Sequence, residues 1–314
     1  MILVAGLTPA WQQIMRFEAF RPGEVNRASE VHWCASGKVL NVGMALAHLG
    51  ARSLTLAPLG GSAAGAIERE FAALKVDRHW IDVAAPTRVC TTILDAGAGR
   101  TTELVENAGA LTDADLLRFA DAFSAESAAA SLVILTGSLP SGTRSSWYRE
   151  LAENVTCPII ADVRGAELVA LLPLRPLVVK PNREELAWTV GRELASDADL
   201  HTAMREIHGA GAHWVVVTDG ARAVWVLGNG RLYRYEPPQV EVVNPIGAGD
   251  CLAAGLAWGL QLGLDMPSAV TLGLAAAGEN VANLLPARLD PVLVERRCAE
   301  VRLVSVETAG NRIV

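Results

Sequence analysis

Short runs of β-branched residues and leucine recur along the chain, separated by longer stretches with a helical spacing of apolar residues. The short runs predict buried strands and the longer stretches predict helices. The predicted strands are 1–7, 54–58, 132–136, 158–162, 177–180 and 214–218, and the predicted helices are 38–49, 64–74, 113–127, 145–153 and 198–209. Because parallel strands need crossover connections, the alternation predicts a three-layer α-β-α fold around a mostly parallel central sheet.

Two segments break this alternation, at about residues 11–34 and 88–105. Polar and apolar residues alternate within them, as at 91–94 (TTIL) and 102–105 (TELV), which indicates half-exposed strands. The pattern fits a small β lid and an edge extension of the main sheet equally well. Since no linker, repeat or low-complexity tract divides the chain, we predict one domain, residues 1–314, with a lid.

Composition supports a globular protein with a sizeable core. The 314 residues are 51% hydrophobic and 19% charged, which excludes disordered, collagen-like and disulfide-scaffold classes. The net charge is -7 and the basic residues are scattered, so we expect no nucleic-acid partner. The most apolar stretch, 252–278, is interrupted by Gln261, Asp265 and Pro267, which favours buried core helices over a membrane span.

The cysteines and the N-terminal residues indicate in which cellular compartment the protein is expected. The cysteines are odd in number and form no C-x-x-C pair, which predicts neither a metal knuckle nor a complete disulfide set. They are Cys34, Cys90, Cys157, Cys251 and Cys298. Residues 1–7 lack a basic region and are followed at once by Thr8 and Pro9, unlike a signal peptide. We therefore expect a cytoplasmic protein without a membrane partner.

The segment 244–250 (NPIGAGD) places glycines directly before a helical run. Free backbone N–H groups at a helix start can converge on an anion, and the helix dipole favours negative charge there. Asp250 could accept a proton from an attacking hydroxyl while the amides of Gly247, Ala248 and Gly249 stabilise a transferred phosphoryl group. Alone, so short a motif more often marks an Asp that caps a helix.

A second glycine turn, 36–43, opens a predicted helix and carries Lys38 and Asn41, which can hydrogen-bond an oxygen-rich ligand. It lacks the spacing of a Walker A motif. Alone, Lys38 is more often a solvated cation at a helix start.

Three further turns follow predicted strands, at 136–140, 180–185 and 218–221. In the second, Asn182 and Glu185 have the spacing of a capping box, which is a sufficient structural role by itself. In open parallel sheets, however, ligands collect at the carboxyl ends of strands. Together with the 244–250 turn, these edges predict one shared cleft.

Taken in order, the segments resemble the ribokinase-like carbohydrate kinases, also called the phosphofructokinase-B family, over nearly the whole chain. The family's G-S-L-P, K-P-N-x-x-E and G-A-G-D elements are similar to residues 137–140, 180–185 and 247–250. The likeness is closest to the 1-phosphofructokinase, 6-phosphofructokinase-2 and tagatose-6-phosphate kinase branch, whose G-x-V-N-R element and glycine-lysine turn look like residues 23–27 and 37–38.

The resemblance implies an ATP-dependent kinase that phosphorylates a sugar hydroxyl, most often of a hexose phosphate, with Asp250 as base and Mg²⁺ as cofactor. It implies sugar or sugar-phosphate contacts at the position of Gln12 and for Arg27, Gly37, Lys38, Asn41, Arg88 and Ser138. It implies nucleotide contacts for Lys180, Asn182, Glu185, Thr218 and Gly220. Asn182 and Glu185 would also hold Mg²⁺ through water.

Three positions depart from the family pattern and leave the substrate open. Family members usually begin with N-P-A-x-D, whereas residues 8–12 are TPAWQ, so Gln12 replaces a carboxylate that binds sugar hydroxyls. A neutral amide cannot form a charge-assisted hydrogen bond, which is roughly twice as strong as a neutral one. Val39 stands at a usual glycine, and Cys251 at a frequent serine.

Two alternative functions remain beside the hexose-phosphate kinase. One is a kinase of an unphosphorylated sugar or nucleoside, and the other is a non-catalytic sugar-phosphate-binding protein. Arg27, Lys38 and Arg88 favour a phosphorylated substrate, because a phosphate needs cations. A lid of exposed strands also makes a homodimer through the lid a candidate, since unpaired edges need cover.

Overall fold

The computed structural model describes residues 1–308 and contains two β-sheets. The strands are β1 (Ile2–Ala5), β2 (Ala10–Phe17), β3 (Glu30–Ser36), β4 (Ser53–Leu59), β5 (Arg78–Asp82), β6 (Arg88–Asp95), β7 (Arg100–Val105), β8 (Leu132–Thr136), β9 (Ile159–Asp162), β10 (Val178–Val179), β11 (Trp214–Val217), β12 (Val224–Gly228), β13 (Arg231–Glu236) and β14 (Arg302–Thr308).

The connecting segments are mainly helical. The helices are α1 (Lys38–His48), α2 (Gly61–Ala73), α3 (Asp113–Ser127), α4 (Trp147–Ala152), α5 (Gly165–Leu171), α6 (Arg183–Val190), α7 (Asp197–Gly209), α8 (Ala248–Gln261), α9 (Met266–Val281) and α10 (Pro291–Cys298). Each strand and helix predicted from the sequence is present, with ends shifted by up to three residues.

The main sheet has ten strands in the order β14-β13-β12-β11-β10-β9-β8-β1-β4-β5. All neighbours from β5 to β11 run parallel, which confirms the mostly parallel sheet. Strands β12 to β14 add an antiparallel edge that the sequence did not predict.

Side chains of each central strand alternate between two apolar layers. In β1, Ile2 and Val4 pack with α1, α2, α8, α9 and α10, whereas Leu3 and Ala5 pack with α3 to α7. This period of two is expected when helices cover both faces of a sheet. The three-layer α-β-α prediction is thereby confirmed.

The apolar stretch 252–278 forms most of α8 and α9, as predicted. These helices pack so closely that a Cβ on Gly255 would lie only 2.9 Å from the Cα of Gly273. No helix within residues 1–308 is long and apolar enough to cross a membrane.

A separate four-stranded sheet, in the order β3-β2-β6-β7, forms the lid. The alternative of an edge extension of the main sheet was therefore wrong. Alternate side chains of β2 explain the sequence pattern, since Ala10, Gln12 and Ile14 are buried while Trp11 and Gln13 are partly exposed.

Candidate active site

A cavity of about 820 Å³ opens at the carboxyl ends of the parallel strands and beneath the lid. Thr8 follows β1, Gly137 follows β8, and Lys180 follows β10, and all three line it. The predicted shared cleft is therefore present, at the sheet edge where ligands collect in open α/β folds.

The glycine turn before α8 forms one wall of this cavity. Gly247 has φ +83°, and a Cβ there would lie 3.0 Å from the Cβ of Pro286, so the position suits only glycine. The Asn244 side chain accepts a hydrogen bond from the Ile246 amide at 3.1 Å, and Asn280 donates to the Ile246 carbonyl at 2.9 Å. These contacts fix the backbone of the turn, whose residues Gly247, Ala248 and Gly249 line the cavity.

Asp250 lies in the first turn of α8 and is only 6% exposed. Asn41 Nδ2 donates to its Oδ2 at 2.7 Å. Burial, followed by the charge of Asp162, raises the pKa of Asp250 to about 6, although Lys38 acts in the opposite direction. A carboxylate with a pKa near the working pH suits proton transfer.

Asn41 also presents an unused acceptor, since its Oδ1 is buried without a hydrogen-bond partner among residues 1–308. A buried polar atom without a partner is costly, and a ligand hydroxyl in the cavity would satisfy it.

Asp162, at the end of β9, is fully buried beside the two lysines of the cleft. Its Oδ1 lies 3.2 Å from Lys38 Nζ and 3.1 Å from Lys180 Nζ, and Thr136 donates to its Oδ2 at 3.3 Å. Burial alone would raise the pKa of Asp162, but the lysines outweigh it and lower the pKa. Asp162 was not identified as a site residue from the sequence. Its position at the end of a predicted strand was the one signal that could have indicated it.

Lys38 links this cluster to α6, since its Nζ also lies 3.2 Å from Glu185 Oε1. Burial opposes the charge of Lys38, yet Asp162, Glu185 and Asp250 together raise its pKa. The ammonium therefore stays charged in the centre of the cleft.

The capping box predicted at the start of α6 is present. Asn182 accepts from the Glu185 amide at 2.7 Å, and Glu185 Oε2 accepts from the Asn182 amide at 3.0 Å. Thr218 pairs with Asn182 across an isolated bridge, which brings both strand ends together.

The donor set fits a weakly held divalent cation. Among residues 1–308 no group of three or more His, Cys, Asp or Glu side chains could enclose a metal ion. Mg²⁺ commonly keeps several waters and takes only one or two carboxylates besides substrate phosphates. Glu185, with both oxygens already engaged and facing the cavity, suits contact through water.

A model of the pfkB family carbohydrate kinases matches residues 2–288. The chain belongs to this family. It is therefore an ATP-dependent sugar kinase. The matched region includes the four lid strands, the main-sheet strands up to β13 and the helices up to α9, whereas α10 and β14 follow it.

Solved structures of pfkB-type kinases share the fold. Phosphofructokinase-2 from Escherichia coli with substrates and products is 24% identical, with a TM-score of 0.86 over 94% of this chain and 98% of that chain. A Thermotoga maritima protein described as a possible 1-phosphofructokinase is 20% identical, with a TM-score of 0.87 over 98% and 99%.

The lid end of this sugar kinase's cavity holds two of the predicted substrate residues. Gln12 is 1% exposed and donates through Nε2 to Thr92 Oγ1 at 2.7 Å. Arg88 donates through Nη2 to the Thr8 carbonyl at 3.1 Å, while its Nε is buried without a partner among residues 1–308.

The structure brings every predicted site residue to the cavity except Arg27. The lining includes Gln12, Gly37, Lys38, Asn41, Arg88, Ser138, Lys180, Asn182, Glu185, Thr218, Gly220, Gly247, Ala248, Gly249 and Asp250. Arg27 is exposed in the loop between β2 and β3 and does not line the cavity. The local sequence resemblance placed this arginine on the lid. It could not predict that the loop would leave Arg27 outside the cavity.

An apolar wall at the opposite end of the cavity was missed in the sequence. Pro238, Val240, Leu274, Ala277 and Val281 line it, next to Thr218 and Gly220. Its apolar character suits a flat aromatic base, in the way that ligand pockets combine apolar walls with few polar groups.

Proposed function

We propose that this kinase transfers the γ-phosphoryl group of ATP to a hydroxyl of a hexose phosphate. The observation that carries the proposal is the buried Asp250, whose pKa is raised to about 6 and which directly follows the glycine turn. Fructose 6-phosphate, fructose 1-phosphate and tagatose 6-phosphate are the candidate substrates.

We assign one ligand to each end of the cavity. The apolar wall around Val240 would take the adenine, and the lid end around Gln12 and Arg88 would take the sugar. The unpaired buried Nε of Arg88 favours an anionic substituent on the sugar, because guanidinium groups bind phosphate strongly. A phosphofructokinase-2 structure from Escherichia coli contains fructose-6-phosphate, in agreement with this class.

In the proposed reaction, the sugar hydroxyl oxygen attacks the γ-phosphorus and the bond to the β,γ-bridging oxygen breaks, releasing ADP. Asp250 takes the hydroxyl proton. The amides of Gly247, Ala248 and Gly249 would stabilise charge on the phosphoryl oxygens. Phosphoryl transfer depends mainly on positioning and charge stabilisation, and Asn41 positions Asp250 through its 2.7 Å hydrogen bond.

Glu185 and Asn182 are the proposed Mg²⁺-holding residues, acting through water. When bound there, Mg²⁺ would neutralise part of the charge on the ATP phosphates. Lys38 and Lys180 would contribute the fixed positive charge of the protein at the same place.

The test is a substrate panel with wild-type protein and Asp250→Asn. We expect activity on a hexose phosphate, and at least a 10²-fold loss of kcat in Asp250→Asn with ATP affinity retained. Near-normal turnover of Asp250→Asn would remove Asp250 as the base.

Glu103 favours a second candidate, a kinase of an unphosphorylated sugar or nucleoside. Its carboxylate lines the same cavity as Gln12 and would repel a phosphate. Turnover of free sugars or adenosine, without turnover of any hexose phosphate, would establish this alternative instead. An intact Asp250 turn favours either kinase over a protein that only binds its ligand.

We also propose a homodimer through the outer face of the lid. Val31 and Trp33 of β3 and Leu104 of β7 point to the same face, and Trp33 is 46% exposed and stacks on Trp11. One Escherichia coli phosphofructokinase-2 structure is of a tetrameric form. Trp33→Lys should yield monomers in analytical ultracentrifugation, and a monomeric wild-type protein would contradict the proposal.

A further inference from the structure

Arg164 and Trp188 form a pair on the rim of the cavity that the family motifs do not include. Arg164 follows Asp162 by two residues, immediately before α5. Trp188 lies three residues after Glu185 on α6, which places both side chains on one helix face. Both Arg164 and Trp188 line the cavity.

The guanidinium carbon of Arg164 lies 4.8 Å from the centre of the Trp188 ring. Stacking on an aromatic face fixes the guanidinium plane and leaves its N–H groups free to donate at the edge. The Gly165 amide donates to Thr189 Oγ1 at 2.9 Å, which ties the start of α5 to α6 and keeps Arg164 close to Trp188. A Cβ on Gly165 would touch the Trp188 ring at 3.8 Å.

Trp188 lines the cavity although 62% of the residue is exposed, so its ring lies at the cavity mouth. Here the ring supports a cation that faces the same space as Lys180 and Asn182.

Two other cations of the cavity already have anionic partners. Lys38 and Lys180 are both bound to Asp162, whereas Arg88, which keeps an unpaired Nε, lies on the lid strand β6. Apart from the stacking contact, the Arg164 side chain forms no salt bridge and no hydrogen bond with any of residues 1–308. Its donors are therefore available without breaking an existing interaction.

A nucleoside triphosphate brings more negative charge than this cleft balances by itself. Asp162, Glu185 and Asp250 already place carboxylates along the strip between the apolar wall and the lid. The unpaired guanidinium of Arg164, which follows the end of β9, is placed to bind phosphate oxygens on that strip.

We propose that Arg164 binds the phosphate chain of ATP beyond its α-phosphate, and that Trp188 holds the guanidinium in place for that contact. The proposal rests on the proposed function of the cavity and extends its phosphate-binding set. Trp188 is a positioning residue, whereas Arg164 touches the nucleotide.

The test measures the binding of AMP, ADP and the non-hydrolysable analogue AMP-PNP, each with Mg²⁺, by isothermal titration calorimetry. For Arg164→Ala we expect AMP-PNP to bind about 10- to 100-fold more weakly, with AMP binding within twofold of wild type, because AMP lacks the outer phosphates. Arg192→Ala is the matched control, since Arg192 is paired with Glu206 outside the cavity.

Two variants of the ring separate positioning from mere packing. Trp188→Phe keeps an aromatic face and should retain AMP-PNP affinity within about threefold, while Trp188→Ala frees the guanidinium and should weaken it by about 3- to 10-fold. A general loss of structure would instead lower the affinity for all three nucleotides alike.

Unchanged AMP-PNP affinity in Arg164→Ala, or an equal loss for AMP and AMP-PNP, would overturn the assignment while leaving the proposed function standing. Failure of the wild-type protein to bind any adenine nucleotide would overturn both.

Discussion

Asp250 should lower the stability of the protein at neutral pH. Its pKa is about 6 in the folded protein, against 3.8 for an unperturbed aspartate, mainly because the carboxylate is buried and secondly because Asp162 is near. A difference of about two pKa units corresponds to about 3 kcal/mol. Replacing Asp250 by Asn removes the charge and keeps the shape, so the variant should be more stable.

The sign and the pH range follow from proton binding. The folded state holds this proton more tightly than the unfolded chain, so the group favours folding at low pH and that contribution is lost as pH rises from about 4 to about 6. Relative to wild type, Asp250→Asn should gain up to about 3 kcal/mol in the free energy of unfolding at pH 8. The gain should shrink toward zero at pH 4.

The assay is urea denaturation of both proteins at pH values from 4 to 8, with Asp121→Asn as the control because Asp121 is exposed on α3. The control should track wild type throughout. If Asp250→Asn is less stable than wild type at pH 8, or if the gap is the same at pH 4, the assumed cost of ionising Asp250 does not exist.

Two further predictions concern the centre of the cleft and the core. The profile of kcat/KM should show an acid limb near pH 6, and Lys38→Met should move that limb to higher pH, because Lys38 lowers the pKa of Asp250; a limb that stays fixed contradicts the coupling. Gly43→Ala should destabilise the protein by about 1–3 kcal/mol in chemical denaturation, since its Cβ would lie 1.9 Å from Thr55 Oγ1. Adding Thr55→Ala should recover most of that lost stability, because the buried Thr55 hydroxyl has no partner among residues 1–308. If the double variant recovers no stability, the clash with Thr55 is not the cause of the loss.

The fold was predictable from the sequence because its signals are local. Buried parallel strands appear as short apolar runs, and helix spacing and caps mark what connects them. The choice between a lid and a wider main sheet was not predictable, since alternation at residues 91–94 indicates half exposure but not which strand pairs with which. Pairing of β6 with β2 rather than with the main sheet is a property of tertiary packing.

The site was predictable where its residues lie in compact turns, as with Gly247 to Asp250 and Asn182 to Glu185. Asp162 was within reach of the same strand-end argument, but one carboxylate after a strand carries no motif. The apolar wall was beyond reach, because Pro238, Val240 and Ala277 come from a loop and a helix whose proximity exists only in the folded chain.

The two buried carboxylates of the cleft show why Asp250, rather than Asp162, is the proposed base. Burial acts on both, but Asp162 lies within 3.2 Å of two ammonium groups and its pKa is lowered, whereas Asp250 has the neutral Asn41 as its hydrogen-bond partner and its pKa is raised. Where environments push the pKa values of neighbouring groups apart, the group with the raised value is suited to proton transfer and the other to fixed charge. Asp162 thus stays ionised and holds the lysines in place, and its charge helps to raise the pKa of Asp250.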